Sequence, residues 1–176
     1  LGANSSVASD DPAWQTEDMC ISGKCLKFDG GDVITTNFSS GIGPFTISAW
    51  AKGSTGYIYS QGSDDGTQYR HRLYIASNVL TFLYYDGAAK SVTTSWEAST
   101  WHYVTAVKTA SDMSLYIDGV LKNSTASNTA SNVGTFHLGA SGTSLNFFNG
   151  FIDEVKIYPY ARSAAQVKAD YNDGAA

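Results

Sequence analysis

Between Phe45 and Trp50 apolar and polar positions alternate. Phe45, Ile47 and Ala49 fall on one side of an extended chain, and Thr46, Ser48 and Trp50 on the other. Similar short runs recur along the chain. Asp-Gly turn signals punctuate them at Asp29-Gly30, Asp65-Gly66, Asp86-Gly87, Asp118-Gly119 and Asp173-Gly174. The predicted strands are residues 25–28, 32–34, 45–52, 57–61, 69–76, 79–85, 90–94, 101–108, 113–117, 120–122, 135–138 and 150–158. Many short strands between regular turns predict an all-β sandwich. A Trp on the polar side of its strand places Trp50 where both sheet faces are covered. One helix is expected over residues 164–171, with Ser163 as cap and Gln166 completing a capping box. Ala164, Val167 and Tyr171 then share a face, and Asn172-Asp173-Gly174 offers a stop. The polar, low-complexity stretch 123–134 reads as a loop.

Composition agrees. With 176 residues the chain suits one domain with a sizeable core. Charged residues make up only 15%, fewer than long helices usually carry on their wet faces, and eleven Tyr suit half-buried pleated surfaces. Net charge is −5 and the basic residues are scattered, which argues against nucleic acid as a partner. No apolar run approaches the ~18 residues that cross a bilayer, so direct membrane insertion is not expected. The first eighteen residues are polar and unlike a signal peptide, so the chain is expected to be a piece excised from a longer precursor.

Catalytic patterns are missing. Retaining glycosidases need two carboxylates about 5 Å apart, often on one face of one strand. Asp153 and Glu154 are adjacent, so regular alternation sends them to opposite faces, and Asp64-Asp65 sits in a turn signal. There is no G-x-S-x-G elbow and no phosphate-binding glycine loop. His102 reads as a strand residue. Cys20 and Cys25 alone cannot make a structural zinc site; they are either two thiols or, as we expect, a disulfide that pins the N-terminal arm.

Several motifs in order carry a family resemblance. Gly23-Lys24-Cys25-Leu26-Lys27-Phe28-Asp29-Gly30 is similar to an opening G-K-x-L-x-F-D-G, and Phe45-Thr46-Ile47-Ser48-Ala49-Trp50 to F-T-I-S-x-W. Trp101-His102-Tyr103-Val104 matches W-H-x-V, and Leu115-Tyr116-Ile117-Asp118-Gly119 matches L-Y-V-D-G. Phe136-His137-Leu138-Gly139 stands where a hydrophobic-x-I-G strand belongs, and residues 150–158 resemble the closing G-x-I-D-E-V-x-I-Y. Together they resemble the LamG-like (laminin G-like type 3) domains of the concanavalin A-like group. The resemblance implies a jelly-roll sandwich of two antiparallel sheets over residues 20–176, with residues 1–19 as a polar arm. It also implies an extracellular or cell-surface setting and a non-catalytic recognition role, carbohydrate being the expected ligand. The alternative is a structural or adhesive domain that contacts other protein subunits. Related jelly rolls often hold calcium where the opening and closing strands meet, which here designates Asp29, Asp32 and Asp153. The family's usual first strand has no counterpart ahead of Cys20, so a sheet edge is expected to be open. The gap would be tolerated with Trp14 as a plug, filled by a donated strand, or shielded by the arm folding back.

A glycan or surface polysaccharide would need aromatic platforms beside polar donors. The residues singled out for this are Trp96, in an apparently exposed loop, with Tyr84, Tyr69, His71 and Arg72.

Overall fold

The computed structural model describes residues 11–38, 41–62, 69–129, 131–132, 134–142 and 146–174, the side chains of residues 41, 42, 69, 131 and 132 excepted. The Asp64-Asp65-Gly66 turn signal and residues 1–10 of the arm lie outside them. The strands are β1 (Ala13–Trp14), β2 (Leu26–Asp29), β3 (Ile34–Thr36), β4 (Gly41–Ile42), β5 (Phe45–Gly62), β6 (Tyr69–Ala76) and β7 (Val79–Tyr85). They continue with β8 (Ala89–Ser95), β9 (His102–Lys108), β10 (Asp112–Ile117), β11 (Val120–Ala126), β12 (Ser131–Asn132), β13 (Thr135–Leu138) and β14 (Asn149–Tyr158). The helix α1 (Ala164–Gly174) follows.

All the pairings are antiparallel, and β5 belongs to two layers. Its first half pairs with β9 and β14, giving the order β1-β2-β14-β5-β9-β10-β11. Its second half pairs with β6 and β13, giving β3-β13-β5-β6-β7-β8. The predicted strands 45–52 and 57–61 are therefore one 18-residue strand that turns the corner between sheets. Gly56, at φ +97°, makes the corner possible, because a Cβ there would strike the Phe147 carbonyl. The inner faces meet in one core. Phe45, Ile47, Ala49, Val104, Ala106 and Leu115 from the first layer pack on Leu73, Ile75, Phe82 and Phe136 from the second.

The polar side of β5 is covered as expected. Val167 of α1 is buried against Val107 and Tyr116, and Tyr171 packs on Trp50 with ring centroids 5.6 Å apart. The Tyr103 hydroxyl donates to Ser48 Oγ at 2.8 Å beneath this cover. Ser163 and Gln166 form the capping box: Gln166 Oε1 accepts from Ser163 N–H at 2.8 Å and Ser163 Oγ from Gln166 N–H at 3.3 Å.

Two departures from the sequence reading have clear causes. The expected loop 123–134 instead carries β11 to Ala126, because backbone pairing with β10 sustains a strand whose side chains are almost all exposed. In β14, Asp153 pairs with Trp50 and Lys156 with Ser48, so Glu154 and Val155 share the space opposite Ala49. This is a β-bulge, with Glu154 at φ +47°. The bulge brings Ile152, Val155 and Ile157 all to the core side. Unbroken alternation from Ile152 would have sent Glu154 and Lys156 there.

The open edge is covered in part from within the chain. Ala13 and Trp14 pair with Lys27 and Leu26, and Gln15 N–H donates to the Cys25 carbonyl at 2.9 Å. Cys20 and Cys25 form the expected disulfide. Part of the arm thus folds back as a short edge strand. Trp14 does not plug the gap: it is 58% exposed, since its two-residue strand sits at the rim rather than between the layers.

Candidate functional site

A side chain that binds sugar needs an accessible face, and the register decides which of the designated residues has one. Tyr84 is completely buried, on the core side of β7, with the Lys108 Nζ 5.1 Å from its ring centre. His71 is likewise fully enclosed, 4.4 Å from Phe45 and 5.6 Å from Tyr59 between ring centroids. Trp96 is not the exposed loop residue expected. Its indole N–H donates to the Gly53 carbonyl at 2.7 Å, its backbone N–H reaches Asn78 O at 2.9 Å, and only 6% of it is accessible. An indole needs both an apolar wall and a partner for its N–H, and the corner of β5 supplies them. Tyr69 opens β6, but its side chain lies outside the described residues.

Arg72 does face outward, half-buried. On β6, His71, Leu73 and Ile75 enter the core, so Arg72 and Tyr74 take the opposite face. The Arg72 guanidinium lies 5.2 Å from the Tyr57 ring centre and 5.4 Å from that of Tyr74, and the two rings are 5.0 Å apart. Cross-strand pairing adds Leu83 beside Arg72 and Thr81 beside Tyr74, with Thr93 and Ser91 next on β8. Tyr57, Leu83 and Thr81 are buried within this face, at 8%, 8% and 6% exposure, so its accessible groups are Arg72, Tyr74, Ser91, Thr93 and Tyr85, the last 38% exposed. Tyr57, Tyr74 and Tyr85 were visible as aromatics in the sequence. Their common face becomes clear only once the phase of β6 and β7 is known.

The three carboxylates designated for calcium do not come together. Asp29 pairs with Asn149, whereas Asp153 lies four residues farther along β14, roughly 13 Å at strand rise. Each of the three accepts backbone N–H bonds through at least one oxygen. Asp153 Oδ2 accepts from Ile21 and Ser22 N–H at 3.0 and 3.1 Å, and Oδ1 from Glu154 N–H at 2.8 Å. Asp32 Oδ2 accepts from Asp29 N–H at 2.8 Å, and Asp29 Oδ1 from Gly31 N–H at 3.1 Å. These residues do not fit the 6–8 oxygen shell that calcium takes. Among the described residues no group of three or more His, Cys, Asp and Glu side chains is placed to hold a metal. A buried cation is present instead. Lys108 Nζ donates to the carbonyls of Thr109, Ser127 and Asp112 at 2.6, 2.7 and 3.3 Å.

A depression of about 430 Å³ lies beside Trp96, lined also by Glu97, His102, Asp118 and Lys122. His102 Nδ1 and Asp118 Oδ2 are 2.8 Å apart, and Asp118 Oδ1 accepts from Tyr103 N–H at 2.9 Å. Fifteen residues lie between the two in sequence, so no local pattern links them. The pair ties the β10–β11 turn to β9.

The family described as the concanavalin A-like lectin/glucanases superfamily, laminin G type 3, matches residues 28–168. No curated protein matches the chain in sequence. Among solved structures, the receptor-binding domain of botulinum neurotoxin type G superposes with a TM-score of 0.72 at 17% identity, over 93% of this chain and 44% of that one. The binding domain of Paraclostridial Mosquitocidal Protein 1 gives 0.69 at 18%, over 92% and 45%. A heptameric SAP-like pentraxin from Limulus polyphemus gives 0.64 at 16%, over 81% and 78%. At these identities the likeness is one of fold. The chain spans less than half the length of the toxin domains it matches.

Proposed function

The chain belongs to the concanavalin A-like lectin/glucanases superfamily, and from that premise we propose that it is a non-catalytic, extracellular recognition module for carbohydrate. The observation that carries this reading is the partly exposed Tyr74 ring beside the Arg72 guanidinium on the outer face of β6, with the buried Tyr57 ring backing both. Aromatic rings stack on the C–H side of a pyranose, while a guanidinium fixed by cation–π contact offers oriented donors to its oxygens. Two of the structural neighbours are themselves binding domains, which fits a binding role. Among the described carboxylates, Asp32 and Asp153 are engaged with backbone N–H groups, which supports a non-catalytic role. The disulfide suits an oxidising compartment, and no helix of the described residues is long and apolar enough to cross a membrane. Residues 20–176 are the recognition domain in this reading, with the arm joined to it through β1.

A glycan array with purified protein is the test. Specific binding that falls about tenfold, ~1.4 kcal/mol, in both Arg72→Ala and Tyr74→Ala is expected. Sugar binding that both variants retain in full would remove this face from the proposal.

One observation favours a second reading, a protein-contacting adhesive role. Trp14 stands exposed at the rim of a cleft of about 380 Å³ whose walls include Leu26, Ile34, Leu138 and Val155. Concentration-dependent association in light scattering, lost in Trp14→Ser, would select it.

A further inference from the structure

The arm and the cleft beside it form one patch that the tyrosine face does not use. Trp14 and Met19, 58% and 41% exposed, both stand on the arm. Trp14 also lines the rim of the cleft of about 380 Å³, whose apolar wall is built from Phe28, Ile34, Leu138, Ile152 and Val155. Charges of both signs border the patch. Glu17 and Asp18 are exposed on the turn that follows Trp14. Lys24, also exposed, lies at the cleft with no ion-pair partner among the described residues. The patch is braced by its own chain. Gln15 N–H donates to the Cys25 carbonyl at 2.9 Å, and the Cys20–Cys25 disulfide closes the loop that carries Lys24. Asp153 holds the Ile21 and Ser22 N–H groups of that same loop.

We infer that this patch is a two-fold interface with a second copy of the chain, in which the Trp14 of each copy enters the cleft of the other. The inference rests on the protein-contacting reading and names its partner. A protruding indole next to an apolar hole is what an isologous contact needs, because rotation about a two-fold axis beside the rim exchanges the two. The charges point to the same partner. A foreign surface of one sign would satisfy either Lys24 or the acids. A rotated copy brings its Glu17 and Asp18 to Lys24, and its Lys24 to the acids. The cleft has room for an indole, since pockets of ~300–1,000 Å³ take whole small molecules. Two indoles bury only ~300–500 Å² between them, well below the ~1,200 Å² of a stable complex, so the dimer is weak and forms as concentration rises. The disulfide and Asp153 fix the arm before contact, which lowers the cost of ordering it.

Sedimentation velocity on the whole chain across a concentration series is the test. Wild type is expected to pass from monomer to dimer, with a blue shift of tryptophan emission as Trp14 leaves water; Trp50 and Trp96 are already buried. Trp14→Ser should weaken association at least ~tenfold and remove the blue shift. Lys24→Glu and the double variant Glu17→Lys/Asp18→Lys should each dimerise several-fold more weakly than wild type, because each sets like charges together in both halves of the contact. Mixed in equal amounts, those two proteins should associate as well as wild type does, since the two-fold then joins opposite charges in both halves. Thermal melts of all the proteins should agree, because the substituted side chains are exposed. Wild type that stays monomeric up to millimolar concentration would overturn the second copy as occupant and assign the contact to a different protein, so this failure is separable from that of the protein-contacting reading. Association that Trp14→Ser retains in full would overturn the site. Charge variants that fail to recover on mixing would overturn the two-fold pairing.

Discussion

Enclosed by Phe45, Tyr59 and Tyr84, His71 sits where an imidazolium cannot be solvated, and burial pushes its pKa down to about 3. In the unfolded chain the same group titrates near 6.5. The folded state therefore holds the neutral form. Its stability is complete above pH 6.5 and is lost progressively as pH falls from there toward 3. The slope reaches about 1.4 kcal/mol per pH unit for this one group. Between pH 6.5 and 5 few carboxylates titrate, so denaturation midpoints should fall across that window more steeply in wild type than in His71→Leu, which keeps His102 and His137. Trp96 makes a second residue-scale prediction. A buried indole with a satisfied N–H is a packing element, so Trp96→Ala should destabilise by ~3–5 kcal/mol, read by urea unfolding. Tyr74→Ala, on the half-exposed face, should cost far less.

The closing strand shows how an element resolves a conflict between spacing and pleat. Ile152, Val155 and Ile157 cannot share one face of a regular strand, and the bulge at Glu154 lets them do so. The cost is a non-glycine residue at φ +47°. Glu154→Gly should raise the melting temperature by an amount that corresponds to at most ~1 kcal/mol, and Glu154→Ile should lower it, since a β-branched residue fits that conformation poorly. The bulge also aims Asp153 at the N–H groups of Ile21 and Ser22, inside the loop that the disulfide closes. Reduction of Cys20–Cys25 should cost ~2 kcal/mol in the chain-entropy picture, since the closed loop is short. Asp153→Asn should add to that loss less than independent sites would, because both hold the same loop.

At the scale of the molecule, carboxylates and an ammonium hold the ends that a metal ion would otherwise join. Asp153 fastens the disulfide loop to β14, Asp32 tightens the turn after β2, and Lys108 gathers three carbonyls at the far end of β9. Burial lowers the Lys108 pKa while Asp86 and Asp112 draw it back up. A ligand that binds only the native state raises stability by about 2.7 kcal/mol at a hundredfold excess over Kd. Thermal melts in millimolar calcium and in chelator are expected to coincide. A calcium-dependent rise abolished by Asp153→Asn would show that the carboxylate exchanges its backbone partners for the ion.

The chain by itself determined most of the strands and the family. Residues 69–76, 79–85 and 135–138 are strands as the alternation and turn signals predict, and the capping box at Ser163 and Gln166 starts the helix. Such features depend on neighbours in sequence, where pleat, turn and cap preferences act. The disulfide was legible for the same reason, with only four residues between its cysteines. The binding faces were not. Tyr84 and Tyr85 are chemically alike and adjacent, yet pairing with His71 buries one while the other stays exposed. Trp96 looks like a loop contact until the corner of β5 brings the Gly53 carbonyl to its N–H. Register across a sheet is set by which faces the core must bury, and that choice belongs to the tertiary structure.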